Sequence, residues 1–313
     1  MNTDQNAEVL VRLAAGRSME GLALGVRNGR VNLNGLTVAH PTAGKPKRLV
    51  LADVAPLQGQ VAIRGVTLRS LDFSGSRLDG LRFFDCSVND CVFDECRCHD
   101  WRVWGTTFEG CTFREADLRD AALGAVSGRR RNIFRTVDFT KTDLRQTAFV
   151  AAEFISCLFK HCNLTKVNFG GSSFTDCVFE GELREVCFNR TAFGNEALAP
   201  NEMTGVDFSK ALLRMVEFRN LNMENVRFPN NEDHIIVEDY PGTLERLLQA
   251  FKSRSDVGSK KLAGDLTVLR KWAGSKQRRG VLNRNDLIAL AGEEGTAELL
   301  QLLGDQRARS GQT

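Results

Sequence analysis

From Ile63 to Phe228 an apolar residue returns at every fifth position. Three unbroken runs carry the pattern: Ile63 to Leu123, Phe134 to Phe179 and Leu183 to Phe228. Every phenylalanine except Phe84 and Phe251 stands on it. An α-helix repeats near 3.6 residues and a strand at 2, so a period of five fits neither. A short period kept over this length predicts a solenoid, whose units bury their apolar side chains by stacking on one another. Two residues before the central apolar residue stand mostly small side chains, such as Ala116, Thr142, Ala152 and Ser172. Central and small residues are expected to point inward and the other three positions outward.

The units ADLRD (Ala116–Asp120) and TDLRQ (Thr142–Gln146) show the motif at its clearest. In this the chain resembles the pentapeptide-repeat family, over roughly half its length. The resemblance implies a mainly β fold, a right-handed quadrilateral β-helix in which each unit forms one face and four faces one coil. Coils stacked at about 4.8 Å give a rod roughly 40 Å long.

The phase slips twice. Leu123 and Phe134 are eleven residues apart, one more than two repeats, and Phe179 and Leu183 are four apart. The first slip falls in Ser127–Asn132 and predicts a small bulge presenting Arg129, Arg130 and Arg131, either as a contact for an acidic partner or as a solvated turn.

Residues 1–60 are expected to form an N-terminal cap, because a solenoid end exposes apolar centres and unpaired strand edges. They carry a helical stretch over 5–15, capped by Asp4 or Asn6 and ended by Gly16. A hairpin signal follows at Asn28-Gly29, then a basic loop over Pro41–Arg48 and an apolar Leu49–Leu51. The repeat occupies 61–228. Residues 229–305 predict a bundle of four helices, the first opened by Pro241, with Leu244 or Phe251 placed to meet the last coil. The tail over 306–313 is expected to be disordered.

Seven of the nine cysteines hold the small inward position and Cys98 is a centre, so they are expected to be reduced and to act as small buried apolar groups. A zinc site from Cys91, Cys96, Cys98 and His99 is not expected, since five-residue spacing sends successive ligands to different faces. No run reaches membrane-spanning length and the N-terminus has no signal pattern, which points to the cytoplasm. None of the four histidines stands in a catalytic motif, and neither a phosphate loop nor a dinucleotide glycine pattern is present. Neither an enzyme nor a cofactor is expected.

Interaction chemistry is legible in two places. Phe84 and Trp104, twenty residues apart and each one past a centre, should lie side by side on the outside, flanked by Arg82 and Arg102. Aromatic residues with arginine are enriched at interface hot spots. The N-terminal cap, a second copy of the chain or another protein would cover them. Nearby, Asp85, Asp90, Asp94, Glu95 and Asp100 face only Arg97. In contrast, residues 252–284 carry ten basic residues against two acidic ones, among them Lys260, Lys261, Arg270, Lys271, Arg278 and Arg279. That stretch suits nucleic acid, an acidic protein, a membrane surface, or solvent alone.

Three functions stay open. The first is a non-enzymatic interaction scaffold. The second comes from the resemblance: some pentapeptide-repeat proteins imitate DNA and bind type II topoisomerase. Those rods are acidic outside, whereas residues 60–228 here sum to −1 and the predicted bulge is basic. The third is nucleic-acid binding through the basic C-terminal helices.

Overall fold

A computed structural model describes residues 1–38, 61–128, 130–192 and 198–310. His40, the basic loop over 41–48, the apolar 49–51, Arg129 and Phe193 lie outside the described residues.

Short parallel strands stack at the repeat spacing. Ile63 pairs with Phe83 and Phe83 with Val103; Leu68 pairs with Val88 and Val88 with Phe108. These rows form two ladders. A third and a fourth are built largely of single bridges, such as Val92 with Thr112 and Arg97 with Asp117. Among described residues every centre is buried except Leu198, which is half-buried. Rings stack within a ladder, as for Phe139, Phe159 and Phe179 at centroid separations of 5.0 and 4.7 Å. Rings from different ladders also meet, Phe154 lying 5.4 Å from Phe159 and 5.9 Å from Phe169. One phenylalanine column therefore forms the core.

The inward small position does more than save space. Cys111 Sγ donates to the Val88 carbonyl at 3.4 Å and Cys162 Sγ to that of Phe139 at 2.7 Å. Thr142 and Thr147 donate likewise to Phe113 and Leu118. Each acceptor is a central residue of the adjacent coil. Cysteine here is thus a weak donor as well as a small apolar group. All nine cysteines are unbridged, and all but the half-buried Cys187 are buried. In the third and fourth ladders the residue before the centre is often Asp or Asn. Its side chain accepts the amide two residues on, as in Asp138 to Thr140 and Asp143 to Arg145.

The solenoid starts earlier than Ile63. Helix α1 (Thr3–Ala15) is capped by Asn2, rather than by Asp4 or Asn6, and closed by Gly16 in the left-handed region. Its Val9 and Leu13 plug the open end of the core. Strands β1 (Val26–Arg27) and β2 (Arg30–Asn32) form the hairpin about Asn28-Gly29. Strand β2 then pairs in parallel with Leu71–Asp72, and Thr37 bridges Arg77. Residues 31–38 are therefore half a coil, laid beneath the third and fourth ladders.

The first phase slip is larger than the small bulge that the sequence predicts. Phe108 pairs with Phe134, a coil six residues longer than the usual twenty. The excess is an antiparallel hairpin, Val126–Ser127 on Arg130–Arg131, with no centre inside it. The four-residue step at Phe179 lets one strand, Val178–Arg184, run through what is elsewhere a corner. A third irregularity leaves no mark on the period: Phe188 pairs with Phe218, ten residues beyond a normal coil. The ten additional residues fall between Arg190 and Asn201, which meet directly, Asn201 N donating to the Arg190 carbonyl at 2.8 Å. Leu198 keeps the phase of five by chance and is not a core residue.

The C-terminal region holds α2 (Tyr240–Lys252), α3 (Val257–Ala273) and α4 (Arg284–Ser310), the last broken at Gly292. Helix α4 continues past Gln306, where the sequence suggests disorder. An antiparallel pair, His234–Val237 with Gly280–Asn283, was not visible in the pattern. Leu244 and Phe251 pack inside the bundle rather than on the last coil. Among described residues no helix is long and apolar enough to cross a membrane.

Candidate functional site

The repeat places residues either side of a centre on the outside of the first ladder. Phe84 and Trp104 lie there as predicted, stacked at 4.6 Å with rings 3° from parallel. Arg64, one coil earlier, lays its guanidinium over Phe84 at 3.8 Å from the ring centroid. The three form an outward stack, with both rings half-buried. Arg64 had no prominence in the sequence, although its place one past Ile63 gives the register that finds it.

Arg82 and Arg102 are not its flanking surface. Arg82 is 5% exposed, turned away along the strand to pair with Asp100 at 2.7 Å. Arg102 reaches the same carboxylate at 2.6 Å and donates to the Asp120 carbonyl at 2.7 Å. Backbone carbonyls at the preceding corner attract both guanidiniums, a pull that period alone does not show. Burial holds the Arg102 guanidinium below its ordinary range.

The structure brings the basic hairpin to the aromatic stack. Arg130 lies 3.6 Å from Asp85, the corner residue after Phe84, and a side chain at Gly105, after Trp104, would press on Ser127. Arg131 is half-buried and donates to Ser173 Oγ at 3.0 Å and to the Ala199 carbonyl at 2.5 Å. It thereby ties the hairpin to the second excursion. The hairpin thus lies beside the stack, at the corner that follows Leu123.

A buried asparagine ends each excursion. Asn132 is fully buried, accepts from Thr106 N and donates to the carbonyls of Val103 and Leu123 at 2.7 and 2.8 Å. Asn201 accepts from Phe174 N and Met203 N. Both hold the inward small position, elsewhere mostly Ala, Ser, Thr or Cys. An asparagine at this position is a readable sign of re-entry in the sequence.

The acidic turn is largely neutralised. Asp90 pairs with Arg30, which with a Ser70 hydrogen bond holds its carboxyl below the usual range. Asp100 pairs with Arg82 and Arg102, and Asp85 faces Arg130. His99 binds Asp117 at 2.6 Å. Among described residues no cluster of three or more metal-ligating side chains occurs.

The basic C-terminal residues split into two groups. Arg270 pairs with Glu245 at 3.4 Å. Arg279 pairs with Glu238 and donates to the Val226 carbonyl, both at 3.1 Å, so it serves the junction with the last coil. Among described residues Arg278 donates no side-chain bond, although its carbonyl accepts from Tyr240 N at 2.7 Å. Lys260, Lys261 and Lys271 are exposed on α3.

Stacked five-residue units with a shared apolar column define the chain as a β-solenoid. Residues 142–181 match the family model of the pentapeptide repeats, in eight copies. Two solved structures are similar in part. QnrB1, a plasmid-mediated fluoroquinolone resistance protein, is 16% identical over 54% of this chain and 84% of its own, with a TM-score of 0.31. HetL, involved in heterocyst differentiation regulation in the cyanobacterium Nostoc sp. strain PCC 7120, is 13% identical over 55% of this chain and 91% of its own, with a TM-score of 0.30. No curated protein matches the chain.

Proposed function

We propose that this protein is a non-enzymatic interaction scaffold whose partner docks on the outer stack of Arg64, Phe84 and Trp104 and the basic hairpin beside it. The carrying observation is the stack itself: two parallel rings and a guanidinium held half-exposed on a rigid ladder. Large aromatic side chains with arginine anchor protein interfaces, and a fixed ladder spares them the entropy of ordering. In this reading the four ladders close into a right-handed, four-sided β-helix, supported by centres from different ladders meeting on one axis. The inward groups are apolar or small, which leaves catalysis little to work with. Arginines against the outward carboxylates favour the scaffold over DNA mimicry, which needs an unbroken acidic stripe. Nine unbridged cysteines suit a reducing compartment, the cytoplasm.

The test is the double substitution Phe84→Ser with Trp104→Ser. Folding stability is expected to hold while partner association weakens by about 2 kcal/mol or more. Chemical denaturation reads the first, and capture from native cell extract followed by titration of the captured protein reads the second. Unchanged stability with unchanged association would remove this surface from the function. A large loss of stability would show that the rings are covered by the chain itself.

A further inference from the structure

We infer that the outer face of the C-terminal bundle, centred on α3, binds the phosphate backbone of duplex nucleic acid without reading its sequence. The contrast with the solenoid carries the inference. Solenoid cations mostly have carboxylates: Arg97 meets Asp79 at 2.9 Å, Lys141 meets Glu115 at 2.8 Å and Arg145 meets Asp143 at 2.6 Å. Between 252 and 284, Arg254, Arg270 and Arg279 are paired. Lys260, Lys261, Lys271, Lys276 and Arg278, all exposed, have no carboxylate within 4.0 Å among described residues. The two local carboxylates do not offset them. Asp256 caps α3 by accepting from Ser259 N, and Asp265 is half-buried.

Helix α3 buries Ser259, Leu262, Leu266 and Ala273 against its neighbours. Helical geometry puts Lys260, Gly264, Thr267 and Lys271 on the opposite side. The two lysines stand roughly 16 Å apart along the axis. Gly264, Thr267 and the exposed Val268 lie between them, and a side chain at Gly264 would meet open space. A charged backbone can thus approach along the helix unobstructed. Flexible lysines on a smooth ridge suit a phosphate array, which rewards point charges and counterion release. A protein partner would want aromatic anchors. So would a single strand, whose bases stack on rings. Trp272 is unavailable, its ring already covered by Arg219 at 3.9 Å. Interfacial membrane helices carry Trp, Phe or Leu, but the large apolar side chains exposed on α3 are Val257 and Val268.

The experiment titrates the full chain into a labelled duplex DNA of about 20 base pairs by fluorescence anisotropy, against Lys260→Gln/Lys261→Gln/Lys271→Gln. Binding should weaken linearly in log–log form with salt and be alike for two unrelated duplexes. The triple variant, with an unchanged melting curve, should bind about tenfold or more weakly and lose roughly 2–3 from the salt slope. Absence of duplex binding at about 50 mM salt, or binding indifferent to the triple substitution, overturns the inference. So does binding to phosphatidylserine vesicles, or a single strand, in preference to the duplex.

Discussion

Phe159 has rings on several sides: Phe139 and Phe179 stacked above and below, Phe154 at 5.4 Å and Phe169 at 6.0 Å. It is 0% exposed, and its neighbours are themselves held by the ladders. Phe159→Ala would leave a cavity that cannot collapse, and a loss of about 3–5 kcal/mol in chemical denaturation is expected. A loss below about 1 kcal/mol would place the ring outside the core. The inward or outward sense of such a residue was readable because the period fixes it. The path of a long side chain was not. Arg82 stands at an outward position and is nonetheless buried, because its stem is long enough to reach the Asp100 carboxylate and carbonyl. Burial likewise pushes the Cys162 thiol up to about 12, while its Sγ satisfies the Phe139 carbonyl.

Coils of unequal length need devices that keep the ladder in register where extra chain is let out. At the first excursion that device is Asn132, whose amide reaches Thr106, Val103 and Leu123 together. Asn132→Ala would leave an amide and two carbonyls unpaired in the interior, each costing about 1–3 kcal/mol unless water enters. We expect a clear fall in the denaturation midpoint and faster hydrogen exchange at the Thr106 amide. An unaltered Thr106 amide would show that the hairpin holds without it. At this scale the sequence misleads in an instructive way. The coil from Phe188 to Phe218 is longer by ten residues, two whole repeats, so the phase is preserved and Leu198 passes for a centre. The six-residue hairpin breaks the phase and is therefore visible.

The two ends of the solenoid are closed by different means. At the start, α1 plugs the column and half a coil covers two of the four ladders. At the finish the bundle supplies partners for groups that a next coil would have paired. His234 Nε2 accepts from Leu213 N at 3.0 Å, Asp286 from Met215 N at 2.7 Å, and the Trp272 carbonyl from Asn220 N at 2.8 Å. His234 is buried and Nδ1 lies 2.7 Å from Asn231 Oδ1, so Nε2 must stay unprotonated to accept. Burial holds its pKa below the ordinary 6.5, opposed by Asp233. The unfolded chain then binds this proton more readily than the folded one. The stabilisation is whole above about pH 6.5 and is lost as pH falls through the lowered folded value. The thermal midpoint should drop between about pH 7.5 and 5.5, and drop less in His234→Gln, where nothing titrates in that window. Equal drops would assign the pH dependence to other groups.

The period of five, the Phe and Leu column, the small inward position and the left-to-right order of cap, solenoid and helices all follow from the sequence. They are legible because each is repeated, and each repeat meets the same surroundings one coil away. The outward stack of Phe84 and Trp104 follows for the same reason. The meeting of that stack with Arg130, the tie from Arg131 to Ala199, the early half coil at 31–38 and the histidine closing the last coil do not. Arg131 and Ala199 are 68 residues apart and Leu213 and His234 are 21, neither a multiple of the repeat; the half coil stands 40 residues from its partners and Arg130 45 from Asp85, but neither segment lies in an unbroken run of units. Only tertiary structure decides which unpaired amide or carbonyl they reach.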